Sequence, residues 1–433
     1  MTRRRRRALR ALGGALIVGV FAGAGVAPAA QAAAGGDYDW WYDTYEVQAA
    51  HDSGITGAGV KIAVIDTQID PDLPIFEGRN LTVSDTQICE SRTEPVSETA
   101  TEPSIHGTTM AALLIGNGAG ASGIRGIAPD ADVTFYGYGT LDLREEDYCR
   151  PNTDDDVSMF GYAVKKAVDE GAEIITTSVQ RRAYENDAPA IAYALARGVT
   201  IVVGTPNADT PVDSGTDVAS FNGVIAATAI DREGAVQTDG AGAPFVVPTT
   251  DVVAAGVNLP TVGIDGDWNS SRAAVGSSFA APMVAGMLAL AAQKYPDATG
   301  DQLVQSLIAT TNGTQHDPAR TEDGYGYGAA WLPTLLSVDP TTFPDESPLL
   351  SKQVGVPTPE QIDTAKTEGF VPVTIPRSMD QYGDTAPPSS GFDMASLVVW
   401  VVTGIGVLIV VAAVVVVLIV IAQRRKAGKG NTP

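Results

Sequence analysis

Apolar and polar positions fall into alternating blocks through the middle of the chain. Val60–Ile65 (VKIAVI), Asp132–Tyr138, Glu173–Val179, residues 199–205 (VTIVVGT), Gly223–Ile230 and Asp251–Val257 are short runs of mostly apolar and β-branched residues. Runs of this length with little alternation predict strands buried on both faces, as in a parallel sheet. Helical spacing lies between them. Residues 157–171 (VSMFGYAVKKAVDEG) predict a helix capped by the acidic Asp154–Asp156, and residues 187–198 (DAPAIAYALARG) one closed by Gly198. The alternation predicts an α/β fold: a doubly wound, mostly parallel sheet with helices on both faces.

The ends break this pattern. Arginines at 3–7 and 10, an apolar run to Val26 and the small residues around Ala30–Ala32 have the order of a secretory signal peptide over residues 1–32. The folded domain is expected over residues 33–337, its first part (DYDWWYDTYEV) wrapping the body with Trp40 and Trp41 as anchors. Residues 338–394, rich in Pro, Thr and acidic side chains, predict an extended stalk. Ala395–Ala422 carries no charge and is long enough for one transmembrane helix, since a span needs about 20 residues. The basic tail at 423–433 then sets the orientation: tail in the cytoplasm, domain outside the cell membrane.

Composition narrows the function. A formal net charge of −23 over 433 residues argues against nucleic acid as a partner. The 2 cysteines, Cys89 and Cys149, lack metal-ligand spacing. In an exported protein they predict a disulfide, two free thiols being the alternative. Asp154–Asp156 invites a calcium reading, but helix capping accounts for it better, and neither metal nor cofactor is expected.

Candidate chemistry gathers at three places. The stretch at 275–295 (VGSSFAAPMVAGMLALAAQKY) predicts a buried helix opening at Ser277 and Ser278, with Pro282 inside its first turn. Those serines are either caps or a nucleophile at a helix N-terminus. The protein has 3 histidines. His51 and His316 lie in polar segments, whereas His106 opens an apolar helix in SIHGTTMAALLIG. Asp66 ends the first strand, where reactive groups of such sheets collect. A serine nucleophile needs a base and a carboxylate to orient that base, and Asp66, His106 and Ser278 supply the set.

The motifs AVIDT, HGTTMA and GSSFAAPMVAG resemble the three active-site motifs of the subtilisin-like serine peptidases over about residues 49–336. The order Asp, His, Ser is that of subtilisin. The resemblance implies that Ser278 rather than Ser277 is the nucleophile and that Asn207, in GVTIVVGTPN, is an oxyanion donor. It also implies that Ser178, Val179 and Gln180 line the substrate cleft. The layout resembles the mycosins, membrane-anchored peptidases associated with type VII secretion, and so implies a protein or peptide substrate and secretion-complex partners. Gln68, Gln180 and Pro206 stand where the family has glycine, so a weakly active or inactive scaffold is the competing reading. An unrelated α/β hydrolase is a third, without a Gly-x-Ser-x-Gly elbow at Ser278.

Overall fold

Residues 38–86, 88, 94–138, 157–209 and 215–372 are described by the computed structural model of the protein. In chain order, α1 (Trp40–Thr44) and α2 (Val47–Asp52) precede β1 (Lys61–Asp66), β2 (Leu81–Val83), α3 (Glu102–Ile115) and β3 (Asp132–Gly137). Then come α4 (Met159–Asp169), β4 (Ile174–Thr177), α5 (Ala188–Ala196), β5 (Thr200–Gly204), β6 (Val224–Ile230) and β7 (Val252–Ala255). The pair β8 (Val257–Pro260) and β9 (Ala273–Val275) leads into α6 (Ser277–Lys294), α7 (Gly300–Ala309), α8 (Leu332–Ser337) and α9 (Pro359–Glu368).

Among the described residues the main sheet has 7 strands in the order β2-β3-β1-β4-β5-β6-β7, each neighbouring pair parallel. The alternation of side chains along β1 divides the core. Ile62 and Val64 enter the cluster that holds α3 and α6, while Ala63 and Ile65 enter the one that holds α4 and α5. Helices therefore cover both faces, because both faces of these strands are apolar. β8 and β9 form a separate antiparallel pair.

The N-terminal segment packs against β7 and β8. Trp40 and Trp41 are buried, Trp40 Nε1 donates to the Val257 carbonyl, and Tyr45 Oη accepts from the Ala255 amide. The helix over residues 159–169 is capped differently from the sequence expectation. Ser158 is its N-cap, its Oγ accepting from Gly161 N at 2.9 Å. Asp154–Asp156 lie outside the described residues.

Up to residue 372 the expected stalk is folded onto the domain. Lys352 is the pin: its Nζ lies 2.6 Å from the buried Asp251 carboxylate and donates to the carbonyls of Ala219 and Val224. The prolines and threonines that read as extended chain serve as helix starts. Thr358 forms a capping box with Gln361, and Pro359 takes the first helical position of α9. Ile362 and Ala365 then pack beside Ala192 of α5. Among the described residues no helix is long and apolar enough to cross a membrane. The leader, the apolar run at 395–422, the tail and both cysteines lie outside the described residues.

Candidate active site

Parallel strands end on one edge of the sheet, and the expected residues are found there. Asp66 is the last residue of β1, Ser178 follows β4, and Gly204 closes β5 with Asn207 just beyond. The N-terminus of α6 meets the same edge.

Asp66 is fully buried. Its Oδ1 accepts from Thr67 N at 2.7 Å, from Thr67 Oγ1 at 2.9 Å and from His106 Nδ1 at 2.7 Å. A carboxylate accepts only, so Nδ1 carries the proton and Nε2 of the neutral ring is the basic nitrogen. Gly107 makes this contact possible. A Cβ there would lie 2.3 Å from the Gln68 carbonyl oxygen, so any larger residue would lift α3 off the loop after β1. Burial pulls the His106 pKa down, but the Asp66 charge and hydrogen bond, with Glu102 behind them, push it up further. The net shift is upward from the ordinary value of 6.5.

The two serines at the start of α6 differ sharply. Ser277 Oγ is a structural hub, meeting Thr205 Oγ1 at 3.0 Å, Gln237 Nε2 at 3.0 Å and Ala229 N at 3.3 Å. From Thr205 a chain of buried hydroxyls continues through Thr228 and Thr250 to the Val247 carbonyl. Ser278 carries the hydroxyl at the cleft. It donates to the Ser178 carbonyl at 3.2 Å, and the Ser178 hydroxyl donates back to the Ser278 carbonyl at 2.7 Å.

That return bond accounts for Pro282. The proline sits beyond the first turn of α6, contrary to the expectation from sequence. An α-helical carbonyl at 278 would accept from the N–H of 282, and proline has none. The Ser178 hydroxyl supplies the missing donor. Ser178→Ala is therefore expected to lower stability by about 1–3 kcal/mol, because it orphans a buried carbonyl. In that background Pro282→Ala restores an N–H and should recover much of the loss. Urea unfolding of the four proteins in this cycle measures the coupling; strictly additive changes would contradict it.

Asn207 accepts from Ser277 N through Oδ1 at 2.8 Å. An amide N–H can only donate, so this bond fixes the orientation of the side chain and turns Nδ2 away from Ser277 N. A Cβ on Gly276 would come within 3.2 Å of that Nδ2, which places it beside the loop that enters α6. Asn207→Ala is expected to lower kcat by about 10²–10³ with little change in KM, the effect seen when such a donor is removed from subtilisin. Peptide hydrolysis checks it, and an unchanged kcat would exclude the role.

The remaining expected residues have clear positions. Val179 is buried. Gln180 Nε2 donates to the carbonyls of Gly204 at 2.9 Å and Thr205 at 2.5 Å. Gln68 is buried and donates to the Glu94 carbonyl at 2.9 Å, so it braces the chain ahead of α3. Pro206 is buried in the irregular segment between β5 and Asn207. His51 bonds the Ile127 carbonyl and His316 bonds Thr311, both away from Asp66. Among the described residues no group of three or more His, Cys, Asp or Glu side chains is placed to hold a metal.

Known proteins resemble this chain in sequence and fold. The model of the subtilase family, peptidase family S8, matches residues 57–328. Serine protease AprX of Bacillus subtilis is 30% identical over 311 residues, 64% of this chain and 65% of AprX, a little under two thirds of that protein's length. Mycosin-1 of Mycolicibacterium smegmatis is 26% identical over 366 residues, 74% of this chain and 77% of the mycosin. The crystal structure of MycP1 from the ESX-1 type VII secretion system superposes with a TM-score of 0.52 at 21% identity, covering 72% of this chain and 88% of MycP1, which bears on the fold. With the family model covering well over half of the sequence, and Asp66, His106 and Ser278 all within the matched residues, the chain belongs to the subtilase family of serine peptidases.

Proposed function

We propose that the protein is an exported, membrane-anchored serine endopeptidase that serves a type VII secretion system. The observation that carries the catalytic part is the Asp66–His106 hydrogen bond at the same sheet edge as the Ser278 hydroxyl. For attack, the Ser278 hydroxyl must leave the Ser178 carbonyl and turn to His106. His106 Nε2 takes the proton as Oγ attacks the peptide carbonyl, and Asp66 holds the imidazolium that forms. The developing oxyanion is met by Ser278 N–H and the Asn207 amide at the N-terminus of α6. Protonated His106 then gives its proton to the leaving amine, and water releases the acyl group by the reverse sequence.

The secretion role is supported by the likeness to Mycosin-1 and to MycP1. Anchoring is supported by the apolar run at 395–422 and the basic residues after it. Full-length protein in membranes should cut a secreted polypeptide of the same cell, giving new termini readable by mass spectrometry. External protease on wall-stripped cells should release a fragment spanning the domain. A domain protected from that protease would contradict the orientation.

The scaffold reading has one specific observation in its favour: the Ser278 hydroxyl is bonded to Ser178 rather than to His106. Under that reading, Ser278→Ala would leave secretion unaltered and no new termini would form in either protein.

A further inference from the structure

The strand order β1-β4-β5 arranges the reacting groups in a row. Adjacent strands lie about 4.8 Å apart, so the ends of β1, β4 and β5 are successive positions along the cleft. The attack proposed above gives a tetrahedral carbon with four substituents. One is Ser278 Oγ. The oxyanion faces Ser278 N–H and Asn207, and the leaving nitrogen faces His106, which the β1 end holds through Asp66. The fourth substituent, the residue on the acyl side of the bond, must leave on the side away from His106. That side is the gap between the ends of β4 and β5.

Gln180 crosses this gap. It lies two residues after Ser178, which is bound reciprocally to Ser278. Its Nε2 reaches the carbonyls of Gly204 and Thr205, at the end of β5. Gly204 in turn packs on the backbone of Ser277, where a Cβ would meet the carbonyl oxygen at 2.8 Å. The glutamine amide thus ties the two walls of the gap together beside the nucleophile.

The anchor of this tie is firm. Arg181 forms a buried ion pair with Asp187 at 2.8 Å and lies over the rings of Phe160 and Tyr184. Its carbonyl also accepts from Val218 N. The backbone at 180 is held from the next residue on, so the gap opens only if the glutamine side chain gives up both carbonyls.

We propose that Gln180 is a specificity-determining residue that limits the acyl side of the scissile bond to glycine or alanine. A larger side chain must displace the amide, and the two carbonyls it leaves are then without their donor. The inference rests on the serine peptidase reading and deepens it by naming the substrate class.

Two peptides differing only at the acyl residue, alanine in one and phenylalanine in the other, test it by the ratio of their kcat/KM values. Wild type should favour alanine by about 100-fold or more, the scale at which pocket size discriminates substrates. In Gln180→Ala the ratio should fall at least tenfold, to about a tenth of the wild-type value or less. Gln180→Met keeps the length but loses the donors, and the ratio should fall by a smaller factor. Because a ratio cancels the active fraction, partial misfolding of a variant does not disturb it. If Gln180→Ala does not fold, the wild-type ratio and Gln180→Met decide. Equal cleavage of both peptides by wild type, or a ratio unchanged in the variants, would overturn the proposal. If a fluorophosphonate labels Ser278 while the ratio is flat, this inference fails alone; if Ser278 does not label and neither peptide is cut, the peptidase reading fails and carries it away.

Discussion

Ser278→Ala is expected to lower peptide turnover by about 10⁶, the scale known for subtilisin when its serine is removed. The expectation follows from the division of labour at the start of α6. Ser277 is enclosed by Thr205, Gln237 and Ala229 and has no exposed surface, so it cannot take over. His106→Ala should cost about as much, and the double variant Ser278→Ala/His106→Ala should lose no more than either alone, because base and nucleophile act as one unit. Steady-state hydrolysis with protein shown to be folded by circular dichroism measures this. Multiplicative losses in the double variant would mean that the two residues do not share a step.

Asp66→Asn should lower kcat by about 10⁴ while leaving the fold intact. The asparagine amide is close in shape, but it can present a donor to Nδ1 and so favour the wrong tautomer, with the proton on Nε2. The pH profile gives a second readout. His106 must be neutral to act as base, and its pKa is raised, with Asp66 the leading cause of the rise against the opposing effect of burial. Activity of the wild type should therefore climb through an acidic limb centred above about 6.5, the ordinary histidine value. The sign for stability is opposite. A group whose pKa is raised on folding adds stability below its unfolded pKa and loses it as pH rises through the folded one. In Asp66→Asn the limb of the residual activity should move to lower pH. A limb that stays in place would show that another group titrates there.

Much of this site is local in the sequence. The end of β1 is visible because four apolar positions, Ile62 to Ile65, run straight into Asp66. His106 stands out because the histidines are few and it alone precedes a long apolar run, although α3 begins four residues earlier, at Glu102. Motif register separates Ser278 from Ser277 in the sequence; the buried hydroxyl chain that encloses Ser277 is a contact between distant residues and has no local signal. The parts that were not legible are contacts between distant residues. Ser178 and Pro282 answer one another across the cleft, and neither position alone indicates that the hydroxyl replaces the absent N–H. The reach of Gln180 to Gly204 and Thr205 depends on how β4 and β5 end side by side.

The fold shows the same division. The strands at 61–66, 132–137, 174–177, 200–204, 224–230 and 252–255 fall within or next to the expected runs, since each is buried on both faces. β2 is three partly exposed edge residues, too short for a pattern. The β8–β9 pair is short, and β8 is broken by a register shift between Val257 and Leu259. α9 did carry a signal, the sequence Thr-Pro-Glu-Gln at its start, but only Ile362 and Ala365 are buried and the polar composition masked it.

The most direct test is covalent labelling of the folded full-length protein with a fluorophosphonate, followed by digestion and mass mapping. One adduct per chain is expected, on the peptide that contains Ser278, lost in Ser278→Ala and formed more slowly in Asp66→Asn. An adduct on a different residue, or a folded protein that takes no label under conditions where another subtilase is fully modified, would contradict the assignment of Ser278 as nucleophile.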